Sequence, residues 1–143
     1  MKYYRQAHVV YHTQYHLVWI PRFRRKVLVH GVGEYLLKTL DMVRKWYPDI
    51  VYLERNIQPD HVHLLISIPP RMSVSRAVNI LKSNTSAALK KKFKFLQHMY
   101  ADDHGIWSVG YFVSTVGVNE KIIRRYIRLQ QKEDGGQTLF GLS

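Results

Sequence analysis

The sequence predicts an α+β fold, a ferredoxin-like or RRM-like antiparallel sheet with helices on one face. Three observations predict it. Apolar segments rich in β-branched residues alternate with amphipathic helical segments in the order strand, helix, strand, strand, helix, strand. Only a short Pro-Asp turn separates the second and third strands, which is typical of a tight antiparallel hairpin. A last amphipathic segment adds an extra C-terminal helix.

The first half of the chain supplies three of the four strands. Residues 8–20 carry β-branched and aromatic side chains and end at Pro21, which predicts a long first strand. Residues 31–47 predict a helix, because leucines and other apolar residues recur at three- and four-residue steps. Residues 50–57 and 61–68 then form the predicted hairpin, joined by the turn before His61.

The second half begins with a capped helix. Ser73 is the predicted N-cap of a helix over 74–93. Residues 94–105 are expected to form a loop or irregular connection. Residues 106–116 are expected to be the fourth strand, with glycines marking a bulge or an end.

The final helix is expected to begin after Asn119 and to end near Asp134, where Gly135-Gly136 stops it. Residues 137–143 are expected to be a mobile tail. The chain is therefore expected to be one domain over residues 1–143, large enough to build a core.

Composition predicts the class of partner. The chain of 143 residues has a net charge of +12 and a pI near 10.0, which predicts a polyanion, nucleic acid first and an anionic membrane surface second. It has no cysteine, which excludes disulfides and thiolate metal sites. No apolar run is long enough for a membrane span and no signal peptide is evident, so we expect a cytoplasmic protein without a membrane partner.

Two histidines share one face of the predicted third strand. Side chains alternate along a strand, so Val62 and Leu64 lie on one side while His61 and His63 lie on the other. At the usual rise the two imidazoles are about 7 Å apart along the strand, which lets both bind one metal ion. The alternative is that they are hydrogen-bonded polar residues. Helices would bury the apolar side and leave the histidine face open to carry a site.

Several clusters of cations are candidate phosphate contacts. Four surround Phe23 at the end of the first strand, and others lie along and at the end of the second helix. The alternative is a solvated loop and a solvated helix end, since lysines also suit the helix C-terminus. The candidates are Arg22, Arg24, Arg25, Lys26, Arg71, Lys82, Lys90, Lys91 and Lys92.

The last helix carries Tyr126 and Gln130 one turn apart, so their side chains are neighbours on one face. The helix pattern by itself favours a structural role for Tyr126, with its ring in the core.

Four stretches together resemble the single-tyrosine transposases of the IS200/IS605 insertion-sequence family, which belong to the His-hydrophobe-His (HUH) nuclease superfamily. They occur in that family's order and at its usual separations, and they span essentially the whole chain. They are residues 15–26 (YHLVWIPRFRRK), 59–64 (PDHVHL), 107–117 (WSVGYFVSTVG) and 126–130 (YIRLQ).

The resemblance implies a role for each site residue. His61 and His63 would bind a divalent ion, Tyr126 would be the nucleophile, and Gln130 would complete the metal site when its helix is docked. The metal implied is Mg²⁺ or Mn²⁺, whereas two imidazoles alone would favour Zn²⁺.

The resemblance also implies the reaction and the partners. Tyr126 would attack single-stranded DNA, leaving a 5′-phosphotyrosine and a free 3′-OH that can later reseal a strand without a nucleotide cofactor. The family works as a homodimer that recognises subterminal DNA hairpins, and Gly117-Val118 is a candidate hinge for exchanging the tyrosine helix between subunits.

Three other functions remain open. A non-catalytic RRM-like module could bind single-stranded nucleic acid, although the usual RNP motif is absent and the histidines would have no purpose. A metal-dependent hydrolase could use water instead of Tyr126. A domesticated nuclease that processes chromosomal repeats, or a plasmid replication initiator, would share the HUH chemistry.

Overall fold

A computed structural model describes residues 3–6 and 9–137 of the chain. The strands are β1 (Tyr4–Gln6), β2 (Val9–Tyr11), β3 (Gln14–Trp19), β4 (Val51–Gln58), β5 (His61–Ser67) and β6 (Phe112–Ser114). The helices are α1 (Gly31–Trp46), α2 (Val74–Lys92), α3 (Lys94–Met99) and α4 (Glu120–Gln137), and Arg22–Arg24 forms a single 3-10 turn.

Four strands form the central antiparallel sheet, in the order β4-β5-β3-β6. The inner strand β3 pairs over its whole length with residues 62–67 of β5, so the strand with the two histidines lies in the middle of the sheet. This order, with helical connections between β3 and β4 and between β5 and β6, is the ferredoxin-like arrangement, and the predicted fold class is confirmed. Strands β1 and β2 form a separate two-stranded ribbon.

Helices cover both faces of the sheet, one face more completely than the other. Side chains of one face pack with α1 and α2 in the main core, which includes Leu17, Val62 and Leu64. On the histidine face, α4 buries Ile123 and Ile127 against the β3 side of the sheet. The histidine face is therefore open only in part, because the extra helix has an apolar stripe that must also be covered.

Helix and hairpin boundaries agree closely with the sequence analysis. The Ser73 hydroxyl accepts a hydrogen bond from the Arg76 amide and caps α2, as predicted. Asn119 likewise accepts from the Ile122 amide at the start of α4. No helix in the described part of the chain is both long enough and apolar enough to cross a membrane.

The long strand predicted over 8–20 is interrupted. The structure places two short strands there, β2 and β3, separated at His12 and Thr13. At this break the Thr13 hydroxyl donates a hydrogen bond to the carbonyl of Ile68, the residue just after β5. Strand propensity does not predict such a side-chain hydrogen bond, so it did not predict the interruption.

Two predictions for residues 94–116 are wrong in extent. The expected loop contains α3, whose Leu96 is buried together with Tyr100 just after it. The expected strand shrinks to β6, since residues 106–111 run irregularly and Trp107 makes only an isolated bridge to Pro21. Ile106 and Trp107 are apolar because they are buried in the core, not because they pair in the sheet.

Helix α4 also continues beyond its predicted end. It passes through Gly135-Gly136 to Gln137 instead of stopping near Asp134. Glycine weakens a helix by about 1 kcal/mol without forbidding it, and buried contacts of Asp134 hold the last turn in place. The tail predicted to be mobile lies, from residue 138 onward, outside the described residues.

Candidate active site

His61 begins β5 and is oriented by the residue before it. Its Nδ1 lies 2.9 Å from Oδ1 of Asp60, whose Oδ2 accepts a hydrogen bond from Nε of Arg24 at 2.8 Å. Burial opposes ionisation of Asp60, but hydrogen bonds from Arg24 and His61 outweigh it and lower the pKa of this carboxyl. An ionised Asp60 keeps the imidazole proton on Nδ1, which leaves the Nε2 lone pair for a metal ion.

His63 lies on the same face of β5 and contacts a third histidine. Its Nε2 is 3.2 Å from Nδ1 of His16 in β3, and the two ring centroids are 5.5 Å apart. Burial, followed by the neighbouring imidazoles of His16 and His61, lowers the pKa of His63. The ring is therefore neutral at pH 7, which is the protonation state in which imidazole binds metals.

A cleft of about 480 Å³ opens beside His61, between the sheet and α4. The sheet side includes Asn56 and Gln58 of β4, which are the register partners of His63 and His61. Three arginines line the cleft: Arg24 at the end of the 3-10 turn, and Arg124 and Arg128 of α4. Guanidinium groups bind phosphate oxygens with charge-assisted hydrogen bonds, so the cleft suits a phosphodiester strand.

Tyr126 lies over the opposite edge of the sheet. Its ring packs against Phe112 of β6 with the centroids 6.0 Å apart. Val18 of β3 lies between them, because it pairs with Phe112 of β6 on one side and with His63 of β5 on the other. Since neighbouring strands are about 4.8 Å apart, the backbones of Phe112 and His63 are separated by about 10 Å.

The Tyr126 hydroxyl is buried and finds no hydrogen-bond partner among the described residues. Burial first, and then the carboxylates of Asp134 and Glu133, raises the pKa of Tyr126. In this arrangement of α4 the phenol stays protonated and shielded from any substrate in the cleft. The helix pattern favours a Tyr126 ring in the core, but it does not show on which strand the ring packs.

Gln130 is buried one turn after Tyr126. Its Nε2 donates to the Val109 carbonyl at 2.8 Å and lies 3.5 Å from Oδ1 of Asp134. These contacts leave Oε1, the atom with which an amide binds a metal, facing Gly110. That residue has φ of +113°, and an added Cβ would lie 3.1 Å from this oxygen. Gln130 as a metal ligand stays a prediction.

Asp134 joins α4 to two other segments. It is 1% exposed. Its Oδ2 accepts hydrogen bonds from the Phe23 amide at 2.9 Å and from the Ser108 hydroxyl at 2.5 Å. Phe23 has a left-handed backbone conformation with φ of +63°, which is unusual for a residue with a side chain. The carboxylate thus stabilises both the 3-10 turn and the docked position of α4.

We expect Asp134→Ala to lower the free energy of unfolding by about 2–4 kcal/mol, because the change leaves two buried donors without acceptors. Urea denaturation measures the effect. Asp103→Ala, at an exposed position, is the matched control and should change stability by less than about 0.5 kcal/mol. Equal stability of the two variants would contradict the role of Asp134 in holding α4.

The side chains present are chemically suited to a divalent ion. His61 offers Nε2 because Asp60 holds its other nitrogen, and His63 is neutral. As placed here, no three His, Cys, Asp or Glu side chains converge on one point within residues 3–6 and 9–137. A bound ion would therefore need ligands beyond these residue types, such as an amide oxygen, a phosphate or water.

The nine cations predicted to contact DNA fall into two groups, those bound to other parts of the protein and those exposed to solvent. Lys82 donates to the carbonyls of Ser108 and Gly110, and burial lowers its pKa to about 8. Lys90 is similarly bound to the Tyr100 carbonyl. These two lysines fasten α2 to the loop that follows α3.

All four arginines among the nine also have protein partners. Arg22 pairs with Asp102, and Arg24 pairs with Asp60 in the wall of the cleft. Arg25 donates to the Met99 carbonyl, and Arg71 pairs with Asp49.

The remaining lysines are exposed. Lys92 lies over the ring of Tyr35, while Lys26 and Lys91 have no hydrogen-bond or ion-pair partner in the described part of the chain. Whether any of the nine touches DNA stays a prediction.

Sequence reasoning missed several residues that the fold brings to the site. His16 and Asn56 lie on neighbouring strands and join the histidine face only through the sheet register. Arg124 and Arg128 are on α4 and line the cleft because the helix docks on that face. Asp134 could have been noticed only as an acidic residue one turn after Gln130.

The chain matches the family described as IS200-like transposases over residues 9–130. Among curated proteins it is 35% identical to the transposase of insertion sequence element IS200 from Salmonella typhimurium, covering 90% of this chain and 83% of that protein. It is 29% identical to the ISDra2 transposase TnpA of Deinococcus radiodurans, covering 87% and 89%.

Two solved structures have a similar fold. A candidate transposase from Deinococcus radiodurans R1 superposes with a TM-score of 0.78 at 27% identity, covering 91% of this chain and 98% of that one. A REP-associated tyrosine transposase bound to a REP hairpin superposes with a TM-score of 0.53 at 17% identity, covering 89% and 68%.

Proposed function

This chain belongs to the IS200-like transposase family, and we propose that it cleaves and rejoins single-stranded DNA at insertion-sequence ends through a covalent bond to Tyr126. The observation that carries the proposal is the cleft beside His61. It combines an imidazole with a fixed proton position and three arginines, and it is bounded by the helix that bears the tyrosine. That combination suits a phosphodiester strand and a nucleophile delivered by α4.

The proposed reaction is a transesterification. Oη of Tyr126 attacks the phosphorus, the bond from phosphorus to the 3′ oxygen breaks, and the DNA 5′ end remains on the protein as a phosphotyrosine. The phenol loses its proton and the departing 3′ oxygen gains one. A later attack by a 3′-OH reverses these changes, so that rejoining requires no nucleotide.

The chain's residues prepare the cleft for this reaction. Arg124 and Arg128 bind and orient the phosphate, Arg24 holds Asp60, and Asp60 keeps the proton of His61 on Nδ1. His61, His63 and Gln130 would hold a divalent ion, Mg²⁺ or Mn²⁺. Such an ion would withdraw charge from the scissile phosphate and stabilise the leaving oxygen.

Tyr126 must move before it can react, because its hydroxyl is buried over β6 instead of facing the cleft. The connection from β6 to α4, residues 115–119, is a candidate hinge. It is irregular and largely exposed, and Gly117 has open space around it. In a homodimer the same hinge would let α4 of one subunit complete the cleft of its partner.

We further propose that the DNA ends are recognised as hairpins. The similar fold of a transposase bound to a REP hairpin supports this, as does the net charge of +12. The exposed lysines Lys26, Lys91 and Lys92 are the best placed of the predicted cations to contact a DNA backbone, since the others have partners within the protein.

The test uses labelled single-stranded DNA that carries the end hairpin of the element, incubated with the protein and Mg²⁺ or Mn²⁺. We expect a protein–DNA adduct that survives a denaturing gel and that carries the label only when the label lies on the 3′ side of the nick. Cleavage without an adduct would indicate a hydrolase that uses water. Binding without either would favour the non-catalytic module.

A further inference from the structure

We propose that Asn56 and Gln58 read a base of the DNA strand next to the phosphate that is cut. This inference rests on the proposed function, because it assigns a source of sequence preference within the same cleft. Both residues are on β4, the edge strand of the sheet, which pairs with the strand that carries the two histidines.

The sheet register places the two amides beside the two imidazoles. Asn56 is directly opposite His63 and Gln58 is directly opposite His61, so these side chains share one face of the sheet. Residues that are directly opposite have Cβ atoms about 5 Å apart. Both amides line the same cleft as His61 and the arginines. A DNA strand with its phosphate beside His61 therefore brings a neighbouring base to the amides.

The two amides form one hydrogen-bonding unit. Nε2 of Gln58 donates to Oδ1 of Asn56 at 2.8 Å. Both side chains are exposed, and within the described residues this is the only side-chain hydrogen bond that either makes. The bond fixes the orientation of the Asn56 amide, which leaves Nδ2 of Asn56 as a free donor and Oε1 of Gln58 as a free acceptor. A pair that is already ordered loses less side-chain freedom when it binds.

Helix α4 leaves this part of the sheet accessible. Its apolar residues pack with Val18 of β3 and Phe112 of β6, on the far side of the histidine strand from β4. The cleft lies between α4 and the amide pair, since residues of both line it. Bases of single-stranded DNA are unpaired, so their Watson–Crick and Hoogsteen edges are available to side chains in such a cleft.

The chemistry of the amide pair favours adenine. An amide pairs with a base edge that offers an acceptor next to a donor. Adenine offers this combination on its Watson–Crick edge and again on its Hoogsteen edge, whereas the Hoogsteen edges of the other three bases lack either the donor or the acceptor. The arginines of the cleft bind phosphates and carry no sequence information of this kind. We therefore expect an adenine at one position beside the cut.

The test uses single-stranded DNA that carries the end hairpin of the element, with the bases around the cut randomised. The full-length protein binds this DNA in the presence of a chelator, and the bound DNA is sequenced. We expect the wild type to enrich adenine at one position by at least about fivefold, and Asn56→Ala and Gln58→Leu to lose that enrichment. Total binding should fall by less than about twofold, because phosphate contacts supply most of the affinity. Asn79→Ala, at an exposed amide of α2 outside the cleft, is the matched control and should behave as wild type.

A second selection locates the enriched position. DNA recovered from the covalent adduct formed with Mn²⁺ is sequenced, and the enriched adenine should lie next to the nucleotide joined to Tyr126. Equal enrichment in the wild type and in both cleft variants would overturn the inference. So would a wild type that enriches no base, or one whose enriched position is remote from the cut. A wild type that selects adenine through these amides but forms no adduct would overturn the proposed chemistry and leave the base contact standing.

Discussion

Tyr126→Phe is expected to abolish the covalent protein–DNA adduct and to leave the protein at least as stable as the wild type. The first effect follows from the proposed chemistry, because phenylalanine has no nucleophilic oxygen. The second follows from the structure. The Tyr126 hydroxyl is buried without a hydrogen-bond partner in the part of the chain that is described, so removing it relieves a desolvation cost of about 1–3 kcal/mol.

The combination of lost activity and retained stability distinguishes a functional tyrosine from a structural one. Adduct formation is measured on a denaturing gel and stability by urea denaturation. Tyr52→Phe is the matched control, since the Tyr52 hydroxyl is hydrogen-bonded to the Leu40 carbonyl at 2.8 Å. The control should keep the adduct and lose about 1 kcal/mol of stability. A Tyr126→Phe variant that still forms the adduct would rule out Tyr126 as the nucleophile.

His61→Ala is expected to eliminate metal-dependent cleavage while leaving DNA binding nearly intact. His61 lines the arginine-lined cleft, and its Nδ1 is held by Asp60, which leaves Nε2 to bind a metal ion. Asp60→Asn should have a smaller effect, a loss of about 10- to 100-fold in metal affinity, because the amide no longer fixes the imidazole proton on Nδ1.

Metal titrations of cleavage, with DNA binding measured separately by gel shift, check both variants. His104→Ala is a suitable control, because His104 is exposed and lies outside the cleft beside His61. Full metal-dependent cleavage by His61→Ala would refute the assignment of this histidine. A large loss of DNA binding would indicate that His61 contacts the strand directly.

Local patterns determined much of the architecture. The alternation of Val62, His63 and Leu64 is a property of any β-strand, so the division of β5 into a core face and a histidine face followed from spacing. The caps at Ser73 and Asn119 are likewise local, since their hydrogen bonds join residues three positions apart. The ferredoxin-like order of elements followed from the same short-range signals.

Predictions failed where a distant contact outweighed local preference. Gly135-Gly136 does not end α4, because Asp134 is held by Phe23 and Ser108, which are far away in sequence. Ile106 and Trp107 are apolar as strand residues would be, yet their side chains are buried in the core beside the sheet. Lys82 and Lys90 belong to a basic stripe, but their ammonium groups bind carbonyls of the neighbouring loop.

The sequence by itself determined the family, from four motifs spread along the chain. It also determined the fold class and the face on which His61 and His63 lie, because these follow from local patterns. Only the tertiary structure decided that His16 meets His63, that α4 covers this face, and that Tyr126 lies over β6 with its hydroxyl buried. These depend on strand register and on how a helix docks against a sheet. Both are set by packing between segments, which no local pattern encodes.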